Sequence, residues 1–351
     1  MQVERVRLAE PRGFCAGVEM AIKALGWMVR IFEPPVYCYH EIVHNQVVVE
    51  AFERRGVIFV DDVGIVPAGM PLMLSAHGSA PEVEAAAAAA DRVVVDACCP
   101  LVTKVHHEMR VRARKGFTVL YVGHEGHEEA AGTVAVAPEA VRLVTSPAEV
   151  AGLALDEDAP VALLAQTTLA HDEWSEVASA AKARFPELWM PGRSDLCYAT
   201  TNRQASVRAL APGCDAVVVI GSANSSNTVS LTKVAAGAGG GRVLRVNSVG
   251  EVPDDLCGIV GVTAGASAPE WLVQEIVDAL APSGGIELVH VTEEDEYFPP
   301  PPGLRDLLKA AASAAAVTAG VAPALVAPTA SDRGASATDL LRPQIPALGA
   351  A

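Results

Sequence analysis

Six short runs of aliphatic and β-branched residues each end in a polar or glycine-rich loop and pass directly into helix-like sequence. VYCY leads into HEIVHN, PLMLSA into HGSAPEVEAAAAAA, and TVLYVG into HEGHEEAAG. VALLAQ leads into TTLAHDEWSEVASAAKARF, AVVVIG into SANSSNTVSLTKVAAG, and GIVGVTAG into ASAPEWLVQEIVDAL. Continuous apolar strands that alternate with helices predict parallel sheets covered by helices. The six units fall into three pairs. Each pair is preceded by a cysteine at a loop-to-helix turn: PRGFCAGVEMAIKAL, VDACCPLVTKVHHEM and SDLCYATTNRQASV. The expected fold class is therefore α/β, with three related α/β subdomains in a pseudo-threefold arrangement. Boundaries are expected at 1–98, 99–194 and 195–298, followed by a Pro/Ala-rich tail over 299–351. In open α/β sheets ligands bind beyond the carboxyl ends of the strands, where these polar loops should gather.

Composition narrows the function. A chain of 351 residues exceeds what one ordinary core serves. Hydrophobic residues make up 51% and aromatics only 5%, so the cores should be built of Val, Leu, Ile and Ala. A net charge of −16 leaves no basic surface to neutralise phosphates, so no nucleic-acid partner is expected. MQVERVRLAEPRGFC has no apolar stretch after its charges, so no signal peptide is expected and the cytoplasm is the expected compartment. Ala310 to Ala327 is mostly alanine and is broken by Gly320 and Pro323, which argues against a membrane span. The tail is expected to be largely disordered, or partly helical.

In a reducing compartment the seven cysteines are thiols or metal ligands. Cys38, Cys214 and Cys257 read as small buried apolar residues. Cys15, Cys99 and Cys197 occupy equivalent places, which points to ligation. Structural zinc normally closes its shell with four ligands. An iron–sulfur cubane held by three cysteines keeps one iron open. Of the adjacent pair, Cys99 precedes a proline suited to the first turn of a helix, so it matches the other two. Cys98 is expected to be a packed bystander.

These motifs carry a resemblance. PRGFCAGV, HEIVHN, SAHG, DAxCPLVTKVH, GHxGH, QTTL, CYATTNRQ, GSxNSSN and VTAGASAPE follow one another along the chain, and the resemblance runs from about Val3 to Arg305. In that order they are similar to the IspH/LytB family of 4-hydroxy-3-methylbut-2-enyl diphosphate reductases. The resemblance implies a trefoil around a [4Fe–4S] cluster held by Cys15, Cys99 and Cys197. It implies reductive removal of the C4 hydroxyl from an allylic diphosphate, with electrons from ferredoxin or flavodoxin. It implies substrate-binding roles for His44, His77, His127, Thr167, Ser225, Ser226, Asn227 and Ser267, and catalytic roles for Glu129, Thr167 and His127, with Glu129 as the proton source.

The residue types suit that chemistry. A diphosphate needs donors, which helix N-termini, short hydroxyl and amide side chains and imidazoles supply. SSN at 225–227 and GAS at 265–267 are expected at such termini, and the histidines would add charge when protonated. A buried glutamate gains a raised pKa, suiting an acid at neutral pH. The sequence also departs from the family pattern. Cys98 replaces Thr, Glu128 replaces the proline of GHxGHPE, and AAGT replaces VEGT. Met20 stands for Arg, Ser79 follows SAHG, and Ser230 replaces an arginine. Two other functions fit the same fold: an iron–sulfur enzyme that uses its iron only as a Lewis acid, and a non-catalytic iron–sulfur sensor.

Overall fold

The structure, a computed structural model, describes residues 1–319, 333 and 336–341. The first stretch contains β1 (Gln2–Glu10), α1 (Ala16–Ile31), β2 (Val36–Tyr39), α2 (Gln46–Glu53), β3 (Val57–Val60), β4 (Leu72–Leu74), α3 (Pro81–Ala88) and β5 (Val94–Asp96). The second contains α4 (Pro100–Arg114), β6 (Thr118–Val122), α5 (Glu128–Ala135), β7 (Val141–Val144), α6 (Pro147–Gly152), β8 (Val161–Ala165) and α7 (His171–Arg184). The third contains α8 (Tyr198–Leu210), β9 (Ala216–Ile220), α9 (Ser226–Gly237), β10 (Arg242–Val246), β11 (Cys257–Ala264), α10 (Glu270–Leu280) and β12 (Ile286–His290). Two helices follow, α11 (Pro302–Ala319) and α12 (Ala337–Leu341).

The strands form three parallel sheets, ordered β3-β2-β4-β5, β7-β6-β8 and β10-β9-β11-β1-β12. Every residue of β8 (VALLA) and β9 (AVVVI) is buried, the signature of strands covered on both faces. The fold is thus α/β with three subdomains in a trefoil.

One boundary is corrected. β1 does not join the first sheet; it lies between β11 and β12 in the third, with Val6 opposite Val260 on one side and Ile286 on the other. Val3, Val6 and Leu8 pack into the third subdomain's core. The first strand therefore completes the last subdomain, and the chain between Glu10 and α1 links two thirds of the trefoil.

Over its described residues the tail is helical, as one of the two expectations had it, and it packs on the first subdomain. Leu304 and Leu308 are buried in the core of the first subdomain, together with Ala337 and Leu341. Their i, i+4 spacing, continued by Ala312, gives α11 one apolar stripe inside an alanine-rich composition that hides it. α12 docks on α1, where the Ala337 N–H donates to Glu19 Oε2 at 2.9 Å. The remaining tail residues, including 320–327 of the alanine-rich run, lie outside the described residues. Among the described residues no helix is long and apolar enough to cross a membrane.

Because all strands are parallel, their carboxyl ends deliver loops to one place. The six loops follow β2, β4, β6, β8, β9 and β11, and they carry His44, His77, His127, Thr167, Ser225 and Ser267.

Candidate active site

Cys15, Cys99 and Cys197 each sit at the position before the first residue of a helix, capping α1, α4 and α8. Three helix N-termini, with their free N–H groups and positive dipole ends, therefore point at one centre. A β-carbon placed on Gly17 would lie 2.7 Å from Cys99 Sγ and 3.9 Å from Cys15 Sγ, so glycine is required there for the thiols to meet. All three cysteines line a single cavity of about 100 Å³. Cys197 Sγ accepts the Thr200 N–H at 3.2 Å and lies 3.1 Å from Thr200 Oγ1.

Burial, reinforced by the neighbouring thiols, pushes the Cys99 thiol up, and it pushes Cys197 up to about 11. Such thiols stay neutral alone and lose their protons to a bound cationic centre. The donor set, its helix-end electrostatics and the cradle over Gly17 fit a cluster held by three cysteines. Cys98 faces away: it receives Thr103 Oγ1 at 3.4 Å, its N–H donates to Asp96, and it is absent from the cavity lining. Cys38 and Cys214 are buried, but Cys257, at the start of β11, is exposed, contrary to its expected burial.

A buried arginine joins two of these thiol-bearing segments. Arg203 of α8 donates to the Gly13 carbonyl at 3.0 and 2.7 Å and to Phe14 O at 3.2 Å, and it pairs with Glu294 at 3.0 Å. It thereby ties the loop before Cys15 to the helix after Cys197. The Ala16 N–H donates to the Tyr198 hydroxyl at 2.9 Å across the same junction.

Glu129 is buried at the start of α5. Its Oε1 accepts the Thr167 N–H at 2.7 Å and its Oε2 accepts the Thr167 hydroxyl at 2.9 Å. Burial outweighs those hydrogen bonds and the nearby His44, and raises its pKa to about 7. The carboxyl is thus poised between acid and carboxylate near neutrality.

The three histidines meet. His44 and His77 stack with ring centroids 3.9 Å apart, and His127 stands edge-on to His44 at 5.2 Å. His127 caps α5, its Nδ1 accepting the Glu129 N–H at 3.2 Å, so the ring proton belongs on Nε2. Burial and the neighbouring imidazoles lower His127 to about 3, and burial with His44 lowers His77 to about 4. Both rings are neutral at pH 7, so the positive charge expected of them is not present before an anion enters.

Glu128 projects into the same cluster, 2.8 Å from His77 Nδ1 and 3.8 Å from His40 Nδ1. Burial opposes its ionisation, but the imidazoles of His77, His44 and His40 prevail and bring it to about 2.

The remaining donors close the cavity. Ser225 caps α9, its Oγ accepting the Thr228 N–H at 3.3 Å. Ser226 Oγ receives Thr168 Oγ1 at 3.0 Å and Gln166 Nε2 at 3.3 Å. Asn227 Oδ1 accepts the Ala266 N–H at 2.9 Å, and its Nδ2 reaches Thr200 Oγ1 at 3.4 Å. Ser267 donates to the His44 carbonyl at 2.9 Å. α10 begins only at Glu270, so Ser267 lies in the loop ahead of the helix and not at its N-terminus as expected.

The structure thus brings all twelve candidate residues to one cavity. Further lining residues escaped the sequence reading, among them Thr168, Thr200 and Phe298. Thr168 and Thr200 lie inside the QTTL and CYATTNRQ motifs, which were the available signal. Phe298 follows β12 in a segment with no motif.

Residues 6–281 match the family model described as LytB protein. The chain is 47% identical over 296 residues to 4-hydroxy-3-methylbut-2-enyl diphosphate reductase of Mycolicibacterium paratuberculosis, covering 84% of this chain and 89% of that protein. It is 45% identical over 307 residues to the protein of the same name from Cutibacterium acnes, covering 86% and 95%. Among solved structures, the E-1-hydroxy-2-methyl-but-2-enyl-4-diphosphate reductase from Plasmodium falciparum superposes with a TM-score of 0.84 at 29% identity, covering 89% of this chain and 99% of the other.

Proposed function

We propose how the site works from one premise: the chain belongs to the LytB family of 4-hydroxy-3-methylbut-2-enyl diphosphate reductases. It removes the C4 hydroxyl of (E)-4-hydroxy-3-methylbut-2-enyl diphosphate reductively, giving isopentenyl and dimethylallyl diphosphate, the last step of the non-mevalonate isoprenoid pathway. Cys15, Cys99 and Cys197 would hold a [4Fe–4S] cluster. When bound, that cluster supplies the electrons and a Lewis-acidic iron, which no side chain can provide.

The chain's own residues do the rest. The diphosphate is taken by the N-terminus of α9 with Ser225, Ser226 and Asn227, by Ser267, and by the N–H faces of His44, His77 and His127. Entry of the anion favours protonation of these rings, so charge is gained where it is needed. Hydroxide is a poor leaving group, and Glu129 in its acid form supplies the proton that lets it depart as water. The Thr167 hydroxyl, 2.9 Å from Glu129 Oε2, is the relay between that carboxyl and the cavity. Enclosure by the three subdomains limits water around the reacting carbon. Ferredoxin or flavodoxin is the electron donor, in the cytoplasm.

The observation that supports this reading most is the buried Glu129–Thr167 pair facing the same cavity as three converging thiols. The test is anaerobic purification, reduction with dithionite and a viologen, and addition of the substrate. Both products should form, and Glu129→Gln should suppress both. Cluster-loaded protein that forms neither product would overturn the reading.

A further inference from the structure

Thr200 lies in the first turn of α8, directly above Cys197, and is buried. Its backbone N–H donates to Cys197 Sγ at 3.2 Å, and its Oγ1 lies 3.1 Å from the same sulfur. The cysteines that cap α1 and α4 make no such side-chain cap bond. Cys197 is thus set apart from the other two converging thiols, although the three places are equivalent along the chain.

The direction of the hydroxyl bond follows from its other partner. Asn227 Oδ1 accepts the Ala266 N–H at 2.9 Å, which orients the amide so that Nδ2 faces Thr200. Nδ2 then donates to Thr200 Oγ1 at 3.4 Å. An amide nitrogen can only donate, so the hydroxyl proton is left for the sulfur. A cysteine that ligates iron is a thiolate and has no proton of its own to give. Thr200 therefore donates twice to one ligand sulfur. The bond entering its hydroxyl from Asn227 strengthens the bond that leaves it.

We propose that the Thr200 hydroxyl, aimed by Asn227, raises the reduction potential of the cluster held by Cys15, Cys99 and Cys197. Reduction adds a negative charge to a centre already rich in thiolates. A donor on a ligand sulfur stabilises the reduced form more than the oxidised one, and hydrogen bonds to the sulfurs are among the terms that set such potentials. Burial of Thr200 keeps water from competing for the sulfur or screening the bond. Thr200 acts through Cys197 and is a positioning residue. The inference rests on the cluster part of the reductase reading and is independent of which substrate enters.

The test uses cluster-loaded protein without substrate, under anaerobic conditions. Dithionite supplies one electron per cluster through viologen mediators, and the reduced cluster is followed by electron paramagnetic resonance as the potential is stepped. Thr200→Val removes the hydroxyl and keeps the shape and the backbone N–H. Thr200→Ala removes it with a smaller side chain, and Thr200→Ser retains it. Iron and acid-labile sulfide per chain normalise each titration. At the parent's midpoint, Thr200→Val and Thr200→Ala should show an about tenfold lower ratio of reduced to oxidised cluster, a shift of about 59 mV to lower potential. Thr200→Ser should stay at the parent's midpoint. A merely structural role would change iron content and leave the midpoint of the loaded fraction in place. An unchanged midpoint in Thr200→Val and Thr200→Ala, or an equal shift in Thr200→Ser, would overturn this proposal alone. Parent protein that takes up no iron would overturn the cluster reading and this proposal with it.

Discussion

Thr167 engages both oxygens of Glu129, one through its backbone N–H at 2.7 Å and one through its hydroxyl at 2.9 Å. The carbonyl of the same Thr167 accepts the Cys197 N–H at 3.0 Å. One residue thus sets the carboxyl in register with a cysteine of the thiol centre.

Glu129→Gln preserves shape, because an amide can accept from the Thr167 N–H and donate to its hydroxyl. It cannot supply a proton, so kcat should fall by about 10²–10⁴. In the parent protein, activity should decline as pH rises past about 7, where Glu129 loses its proton. A pH–rate profile of both proteins checks this; an unchanged kcat in the variant would remove Glu129 from the mechanism.

The same carboxyl links stability to pH. Its pKa is about 7 when folded, against roughly 4.3 for an unperturbed glutamate. Between those values the folded state binds more protons than the unfolded one. This group's contribution to stability is therefore full below about 4.3, falls as pH rises, and is lost above about 7. Urea denaturation across that window should show a smaller decline for Glu129→Gln than for the parent.

Gly17 touches no ligand, yet a methyl there would stand 2.7 Å from Cys99 Sγ. Gly17→Ala should lower iron and acid-labile sulfide per chain while far-ultraviolet circular dichroism stays unchanged. Full cluster content in this variant would show that the thiols meet differently.

Cys98 and Cys99 should separate cleanly. Cys99→Ser should lose iron, whereas Cys98→Ser should retain it, because Cys98 faces Thr103 and not the cavity. Iron analysis of the two variants decides which cysteine is the ligand.

Arg203 is fully buried and paired with Glu294. Arg203→Met removes the charged partner of Glu294, which keeps the Asn202 amide at 3.0 Å, and frees the Gly13 and Phe14 carbonyls. The expected cost is about 3–5 kcal/mol, read as a lower urea midpoint. Because the arginine bridges the Cys15 and Cys197 segments, iron retention should fall as well.

Much of this protein was legible in its residues. Apolar runs such as AVVVI and VALLA announce parallel strands because only strands covered on both faces lack alternation. Proline after Cys99 marks a helix start, and nine ordered motifs point to one family. These signals are local, a few residues long, so they survive without knowledge of the fold. What the sequence could not disclose was set by distance in the chain. That β1 completes the third sheet depends on pairing Val6 with Val260. That α11 covers the first core depends on which side of the helix Leu304 and Leu308 meet it. The electrostatics belong to the tertiary structure too. Glu128 and Glu129 are adjacent and chemically identical, yet one is brought to about 2 and the other to about 7. Imidazoles from other loops surround the first, and burial against Thr167 dominates the second, because ionisation responds to what lies within a few ångströms in space and not to neighbours in sequence.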